Sequence, residues 1–396
     1  MVFRRQICIK KTAFFLFFLP LLSPFHLTAL SPTPAAFFVS DYLPALKDKK
    51  IGLVVNHTSR IGNVHLVDTL LRLGCKVKKI FAPEHGFRGD HSAGAHVNSS
   101  VDAKTGLPIF SLYGENKKPS ADHLDGLDLI LFDIQDVGVR FYTYISTMHY
   151  MMEACALYQI PFIVLDRPNP NGHYVDGPLL KSNFKSFVGL HPIPVVHGLT
   201  VGELAMMIVG EKWIENASSL KLTVYKAKNY SHASYYELPI APSPNLKNQL
   251  SILLYPSLCF FEGTIVSVGR GTDKPFQVFG FPNGNPWNME FTPKPMPGAD
   301  NPPHKFQLCR GVDLSMLSPM DVYNRKKLNI DYLLLVYDAY IHKDKLFSSF
   351  FDKLAGTDQL RKQIIAGWSA AEIRNSWSDD LKNYQKLREK YLLYPL

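Results

Sequence analysis

Ile51-Gly52-Leu53-Val54-Val55, running directly into Asn56-His57-Thr58-Ser59-Arg60, sets the reading of the whole chain. Five apolar residues without polar alternation describe a strand covered on both faces, and the polar cluster that follows marks the end where it leaves the core. The pattern then repeats. Val64 to Leu73 carries Leu66, Leu70 and Leu73 at helical spacing. Val77 to Phe81 is the next strand and ends in Ala82-Pro83-Glu84-His85-Gly86-Phe87-Arg88-Gly89. Leu107 to Leu112 leads into Tyr113-Gly114, and Leu127 to Phe132 into Asp133-Ile134-Gln135-Asp136-Val137-Gly138-Val139-Arg140. A helix from Ser146 to Tyr158 precedes the strand Ile160 to Leu165, which ends in Asp166-Arg167-Pro168-Asn169. A helix at Val201 to Glu211 and a strand at Leu220 to Tyr225 complete the series.

Strand–helix alternation with continuous apolar strands predicts an α/β fold: a Rossmann-like, doubly wound parallel sheet over residues 45–235. Beyond residue 235 the texture changes to dense proline and aromatic residues, with a Pro- and Gly-rich stretch from Pro282 to Pro303. Helices are expected at Tyr332 to His342, Gln359 to Gly367 and Ser369 to Tyr391, the last opened by a Ser369/Glu372 capping box. Residues 236–396 read as a smaller α+β domain.

The chain has 396 residues, 46% apolar and 19% charged, a composition that suits a globular protein and argues against disorder. Of the net charge of +9, four positive residues (Arg4, Arg5, Lys10 and Lys11) fall in the first thirty, which hold no acid. They precede the apolar run Ala13 to Leu22, the pattern of a secretory signal or, alternatively, of an uncleaved N-terminal anchor. An exported protein, periplasmic or at the cell surface, is therefore expected. The remaining excess is diffuse and gives no basic stripe of the kind nucleic acid requires. Cys75, Cys155, Cys259 and Cys309 are widely spaced, which reads as buried free thiols, with one disulfide left open.

In an open parallel sheet the carboxyl ends of the strands share one edge, so the polar clusters converge on one cleft. No GxSxG, HExxH, GxxxxGK[ST] or GxGxxG pattern is present, so serine-elbow, zincin, P-loop and dinucleotide chemistry are disfavoured. No cofactor and no metal are expected. His57, His85, Asp133 and Asp136 can be imagined around a metal, but without the spacing of a known site. Amides, arginines and carboxylates beside aromatic rings suit a sugar site instead. Glu84 is the sharpest acid candidate, because Pro83 fixes the strand exit and two glycines follow. Glu262, in a segment Phe261 to Thr272 that reads as a strand facing the cleft, is the rival carboxylate. The other reading of Glu262 and Arg270 is an internal ion pair. Asn56, His85, Arg88, Asp133, Gln135, Asp136, Arg140, Tyr142, Asn169 and Arg270 are the expected substrate-binding residues.

Several of these runs, with Phe132 to Gly138, Leu165 to Pro170, Glu262-Gly263-Thr264, Val268 to Asp273 and the closing Lys390 to Pro395, resemble the bacterial exo-β-N-acetylmuramidases. These are peptidoglycan-trimming glycoside hydrolases, formerly an uncharacterised domain family. The resemblance runs from about residue 45 to the C-terminus. It implies release of a terminal β-linked N-acetylmuramic acid from peptidoglycan fragments or a MurNAc-GlcNAc disaccharide. It also implies a cleft between a Rossmann-like domain and a smaller one, and a catalytic glutamate at Glu84. Gly138-Val139-Arg140 stands where the family often has Gly-Ala-Arg. The lactyl carboxylate of muramic acid calls for a cation, with Arg140 and Arg270 the first candidates and Arg60 and Arg88 behind them. Of Tyr142 and Tyr144, alternate residues of an extended chain, one is expected to face the sugar, and the Pro/Gly stretch to wall the pocket. Two other readings stand beside this one: a non-catalytic muramyl-sugar binding protein, and a metal-dependent amidase or deacetylase on the same polymer.

Overall fold

The computed structural model describes residues 31–87, 100–114, 117–284 and 287–396, and these form one compact unit. The first thirty residues, and with them the secretory-signal reading, lie outside the described residues, as does Arg88.

Twelve strands are described: β1 Lys50–Val55, β2 Arg60–Ile61, β3 Val64–His65, β4 Lys76–Ala82, β5 Ser100–Val101, β6 Pro108–Ser111, β7 Leu129–Asp133, β8 Phe162–Leu165, β9 Leu222–Tyr225, β10 Val278–Pro282, β11 Met289–Phe291 and β12 Cys309–Asp313. Seven form one sheet in the order β5-β6-β4-β1-β7-β8-β9. Every pairing in it is parallel except the short edge strand β5 on β6. The chain winds from β1 out to β6, then returns to the other side of β1 and continues to β9. That is the doubly wound topology expected from the alternation, with β1 at the point of reversal.

Side-chain alternation explains why both faces are apolar. Ile51, Leu53 and Val55 of β1, with Leu129 and Leu131 of β7, enter a core covered by α1 Val39–Leu46 and α2 Leu66–Arg72. Val54, Ile130 and Phe132 point the other way, into a larger core. That second core takes α4 Tyr144–Tyr158 and α5 Val201–Gly210 (α3, Ala121–Leu124, lies at the edge), and it continues without interruption into the C-terminal segments through Phe260, Phe279 and Phe351. The sheet face and the C-terminal part thus share one hydrophobic core.

C-terminal to the sheet come α6 Gln249–Leu258 and a 3-10 turn Cys259–Gly263. The small antiparallel sheet β10-β12-β11 follows, with α7 Pro319–Asn324, α8 Asp331–Ala339, α9 Ser349–Ala355, α10 Gln359–Ile365, α11 Ala370–Asn375 and α12 Ser378–Glu389. Two expectations need correction here. Phe261 to Thr272 is a 3-10 turn and an irregular segment rather than a strand; Gly269 and Gly271 both sit at positive φ (77° and 81°), which no strand accepts. The single helix expected over Ser369 to Tyr391 is two. Ser369 and Glu372 form the capping box of α11, but the Ser376 hydroxyl donates to the Ile373 carbonyl (2.6 Å) and the buried Trp377 starts α12. Cys75, Cys155, Cys259 and Cys309 are free thiols.

Several histidines are buried or half-buried. Burial pushes His149 and His173 down to about 4 and His197 to about 3, and His191, whose Nε2 meets His149 Nδ1 at 3.0 Å, lies well below its ordinary value. The unfolded chain protonates these rings near 6.5, so below that pH it binds protons that the folded chain refuses, and their stabilisation is lost as pH falls. Asp136 and Asp166, which burial raises to about 7 and about 6, act oppositely, since their contribution is present at low pH and lost on rising through those values. Four imidazoles outnumber two carboxyls. The unfolding midpoint in urea is therefore expected to hold at pH 7 and to fall steadily from pH 6.5 to pH 4. A midpoint that rises over that interval contradicts the assignment.

Candidate active site

At the carboxyl end of the sheet, the crevice between β1 and β7 is closed by the protein itself. The Ser59 hydroxyl donates to the Asp133 carbonyl, the Gln135 amide N–H donates to Thr58 Oγ1 (3.0 Å), and Asn56 Oδ1 accepts from both the amide and the hydroxyl of Thr58. The open space lies to one side, beyond the exits of β4, β6 and β7, as a cavity of about 590 Å³. Its far wall comes from the C-terminal part: Tyr255, Cys259, Glu262, Arg270 and Phe276, the segment Gly298–Pro303, and Phe350 and Leu354 of α9. The Pro/Gly-rich stretch thus reaches the cavity through its last residues.

Glu84 stands at the corner of a tight turn. The Gly86 N–H donates back to the Pro83 carbonyl (3.0 Å), and His85 adopts φ = 69° with Gly86 at 77°. A left-handed histidine is strained backbone, worth about 1–3 kcal/mol, and such strain concentrates at functional sites. The turn presents Glu84 and His85 to the cavity. Glu84 Oε2 accepts from the Thr143 hydroxyl at 2.7 Å. Burial, then the charge of Glu84 and a hydrogen bond to it, pushes the Tyr113 phenol up. Half-buried and with hydroxyls on it, Glu84 is a carboxyl group that faces the cavity.

Glu262 faces the same cavity from the opposite wall, ion-paired with Arg270 (Nε to Oε1, 2.5 Å). Burial alone would lower the Arg270 guanidinium, and the facing Glu262 carboxylate overrides that and raises it. The left-handed glycines on either side of Arg270 turn it inward, and its guanidinium lies 5.2 Å from the Phe276 ring centroid. The ion-pair reading and the cleft reading are therefore both realised. Both Tyr142 and Tyr144 line the cavity, against the expectation of one: the segment is a turn entering α4, not an extended strand, and both phenols donate to the Pro242 carbonyl (2.9 and 3.1 Å). Tyr142 also packs edge-to-face on Tyr255 at 5.8 Å.

Six expected substrate-binding residues do not reach the cavity wall. Asn56 closes the β1 crevice as described above. Asp133 is buried and paired with Arg167 through two contacts (2.6 and 2.9 Å). Gln135 donates to the carbonyls of Asp136 and Pro168 (both 2.9 Å), and Asn169 donates to the Leu199 carbonyl (2.8 Å). Asp136 accepts from the Gly138 N–H through Oδ1 (2.7 Å), and its Oδ2 is buried without a partner. Arg140 is the clearest correction. Fully buried, it donates to four carbonyls: Pro178 (2.7 Å), Ile193 (2.8 Å), Leu354 (3.0 Å) and Ala355 (2.7 Å). Nor do His57, His85, Asp133 and Asp136 converge, since His57 Nε2 is engaged with the Ala241 carbonyl (2.8 Å) and Asp133 with Arg167. Among the described residues no three His, Cys, Asp or Glu side chains stand close enough to hold a metal.

Sequence reasoning passed over Thr143 and Tyr113. Thr143 carried a signal, as the hydroxyl between two tyrosines at a strand-to-helix junction. Tyr113 is read at a strand exit with the other clusters, but its phenol is given no role.

Comparison with known proteins agrees over nearly the whole chain. Residues 51–250 match the family model described as exo-β-N-acetylmuramidase NamZ, N-terminal, and residues 253–394 match its C-terminal counterpart. The chain is 41% identical over 375 residues, covering 89% of each protein, to the peptidoglycan β-N-acetylmuramidase NamZ of Bacillus subtilis (strain 168). Two crystal structures of DUF1343 family proteins from Bacteroides fragilis NCTC 9343 superpose on it. One is 48% identical with a TM-score of 0.86, the other 27% identical with 0.74, each over 92% of this chain and 99% of its own.

Removing the Arg140 guanidinium takes a donor from four carbonyls, of which that of Ile193 keeps the Leu180 N–H (3.2 Å). Arg140→Gln is expected to cost about 3–5 kcal/mol of stability in urea unfolding, while the folded fraction keeps the wild-type KM. Unchanged stability with a raised KM would return Arg140 to the substrate site.

Proposed function

This chain belongs to the NamZ exo-β-N-acetylmuramidase family, and on that premise we propose how its cleft performs the reaction. The protein is a glycoside hydrolase of peptidoglycan that releases N-acetylmuramic acid residues from chain ends. In our reading Glu84 is the general acid. It gives its proton to the departing glycosidic oxygen as the bond to the anomeric carbon breaks, and water supplies the hydroxyl that replaces the leaving sugar.

The observation that carries this reading is the contrast between two glutamates facing one cavity. Glu84 accepts from the Thr143 hydroxyl beside the Tyr113 phenol, at a strained strand-exit turn, and Glu262 on the opposite wall is ion-paired with Arg270. We assign the first as proton donor to the leaving oxygen and the ion-paired one as the negative charge that faces the oxocarbenium-like carbon. Tyr142, Tyr255 and Phe276 supply aromatic faces and edges of the kind that pack on a sugar ring.

Recognition of muramic acid follows from charge. Among the described residues lining the cavity, Arg270 carries the only guanidinium, and its Nε is already committed to Glu262. The Nη groups are the ones we assign to the lactyl carboxylate, a charge-assisted contact that a glucosaminide lacks. A cavity of about 590 Å³ accommodates a terminal sugar with part of its neighbour, which supports a MurNAc-GlcNAc disaccharide as the smallest natural substrate. Export to the periplasm or cell surface is supported by the basic, then apolar, first thirty residues.

A chromogenic β-N-acetylmuramide and the matching β-N-acetylglucosaminide test this reading. Release is expected from the muramide alone, and Arg270→Met is expected to lower kcat/KM for it by roughly tenfold to a hundredfold. Equal release from both sugars contradicts the assignment of Arg270. Release from neither, with the muramide still bound, favours a binding protein.

A further inference from the structure

A second cavity, of about 480 Å³, lies elsewhere in the fold and shares no lining residue with the cleft. The loop after β8 (Gly172–Val175), His232, the end of α7 with Lys326, and Gln385 and Arg388 of α12 form its walls. Arg388 is 7% exposed, and its Nε and Nη2 both donate to one carbonyl, that of Gly198 (3.1 and 2.6 Å). Nη1 has no partner among the described residues.

The acid nearest to serving as its counter-ion is already committed. Glu203 Oε1 takes His232 Nε2 (3.0 Å) and the Leu393 N–H (2.8 Å), and Oε2 takes the Thr200 N–H (2.9 Å). Burial lowers the Arg388 guanidinium despite the nearby Tyr384 phenol and the charges of Glu203 and Glu389. His232 is 2% exposed, and with Nε2 turned to Glu203 its Nδ1 is left without a partner. Lys326 is exposed, sits at a left-handed φ of 49°, and forms no ion pair among the described residues; Arg325 and Lys327 flank it. Leu396 also lines the space, and among the described residues no ion pair joins it to these cations. A buried guanidinium with a free N–H and a lysine without an ion pair among the described residues make up the donor set.

We propose that this cavity is a second, non-catalytic site for a small phosphate-bearing molecule, held by Arg388 and Lys326. Oxyanion charge answers the two cations, and a phosphate offers three oxygens to donors that approach from different walls of the cavity, where a carboxylate offers two in one plane. The cavity exceeds the size of a bare phosphate, leaving room for the molecule that carries it.

Calorimetric titration of the full chain at low salt with inorganic phosphate, and separately with acetate, tests the proposal. One saturable phosphate site is expected, weakened at least tenfold by Lys326→Gln and unaffected by Arg270→Met, with muramide hydrolysis unchanged in Lys326→Gln. Because Arg388→Gln also frees the Gly198 carbonyl and can fail to fold, the exposed Lys326 carries the test. Absence of phosphate binding, binding indifferent to Lys326, binding lost with Arg270, or acetate binding as tightly as phosphate would each overturn it.

Discussion

One buried guanidinium ties this molecule together. Arg140 leaves the sheet just after β7 and ends among four carbonyls, two from the long connection after β8 and two from α9 in the C-terminal part. Among the described residues no carboxylate pairs with it; four carbonyl dipoles answer its charge. The cost of burying a cation is met only if all four stay in place. That requirement fixes α9 against the sheet, and α9 carries Leu354 and Phe350 of the cavity wall. The cleft is therefore a consequence of the core beneath it: its two walls meet at a distance set by a side chain that does not line the cavity.

The same logic runs through the polar sequence runs. Asp166 takes the Arg167 and Gly202 amides and the hydroxyls of Thr200 and Tyr394, so it caps α5 and anchors the chain's last residues. Arg167 pairs with Asp133 at the ends of adjacent strands. Such residues look catalytic in sequence because they are polar, follow strands and sit beside glycine or proline. Their partners are other parts of the chain, and partner identity is what a one-dimensional pattern lacks. Apolar strands were legible for the opposite reason. Val54 and Ile51 need only a nonpolar neighbour, and any nonpolar neighbour serves, so periodicity alone assigns their faces.

The site was legible where geometry is local. Pro83-Glu84-His85-Gly86 specifies a tight exit turn by its own residues, and Gly269-Arg270-Gly271 turns an arginine inward. It was not legible where several segments meet: Phe350 and Leu354 reach the cleft from far along the chain, and nothing in their neighbourhoods announces it. The segment around Glu262 misled for a related reason. Its apolar residues alternate because Phe261 packs on Phe279 (4.9 Å) and Gly263 lies against the Phe351 backbone, not because it pairs in a sheet.

Proton donation by Glu84 to a departing sugar oxygen is the central claim, and leaving-group dependence tests it most directly. Compare kcat/KM of Glu84→Gln with wild type on the MurNAc-GlcNAc disaccharide, whose leaving alcohol needs a proton, and on the nitrophenyl muramide, whose phenolate departs without one. The account predicts a loss of about 10²–10⁴-fold on the disaccharide and a far smaller loss on the nitrophenyl sugar. Equal losses on both would contradict it.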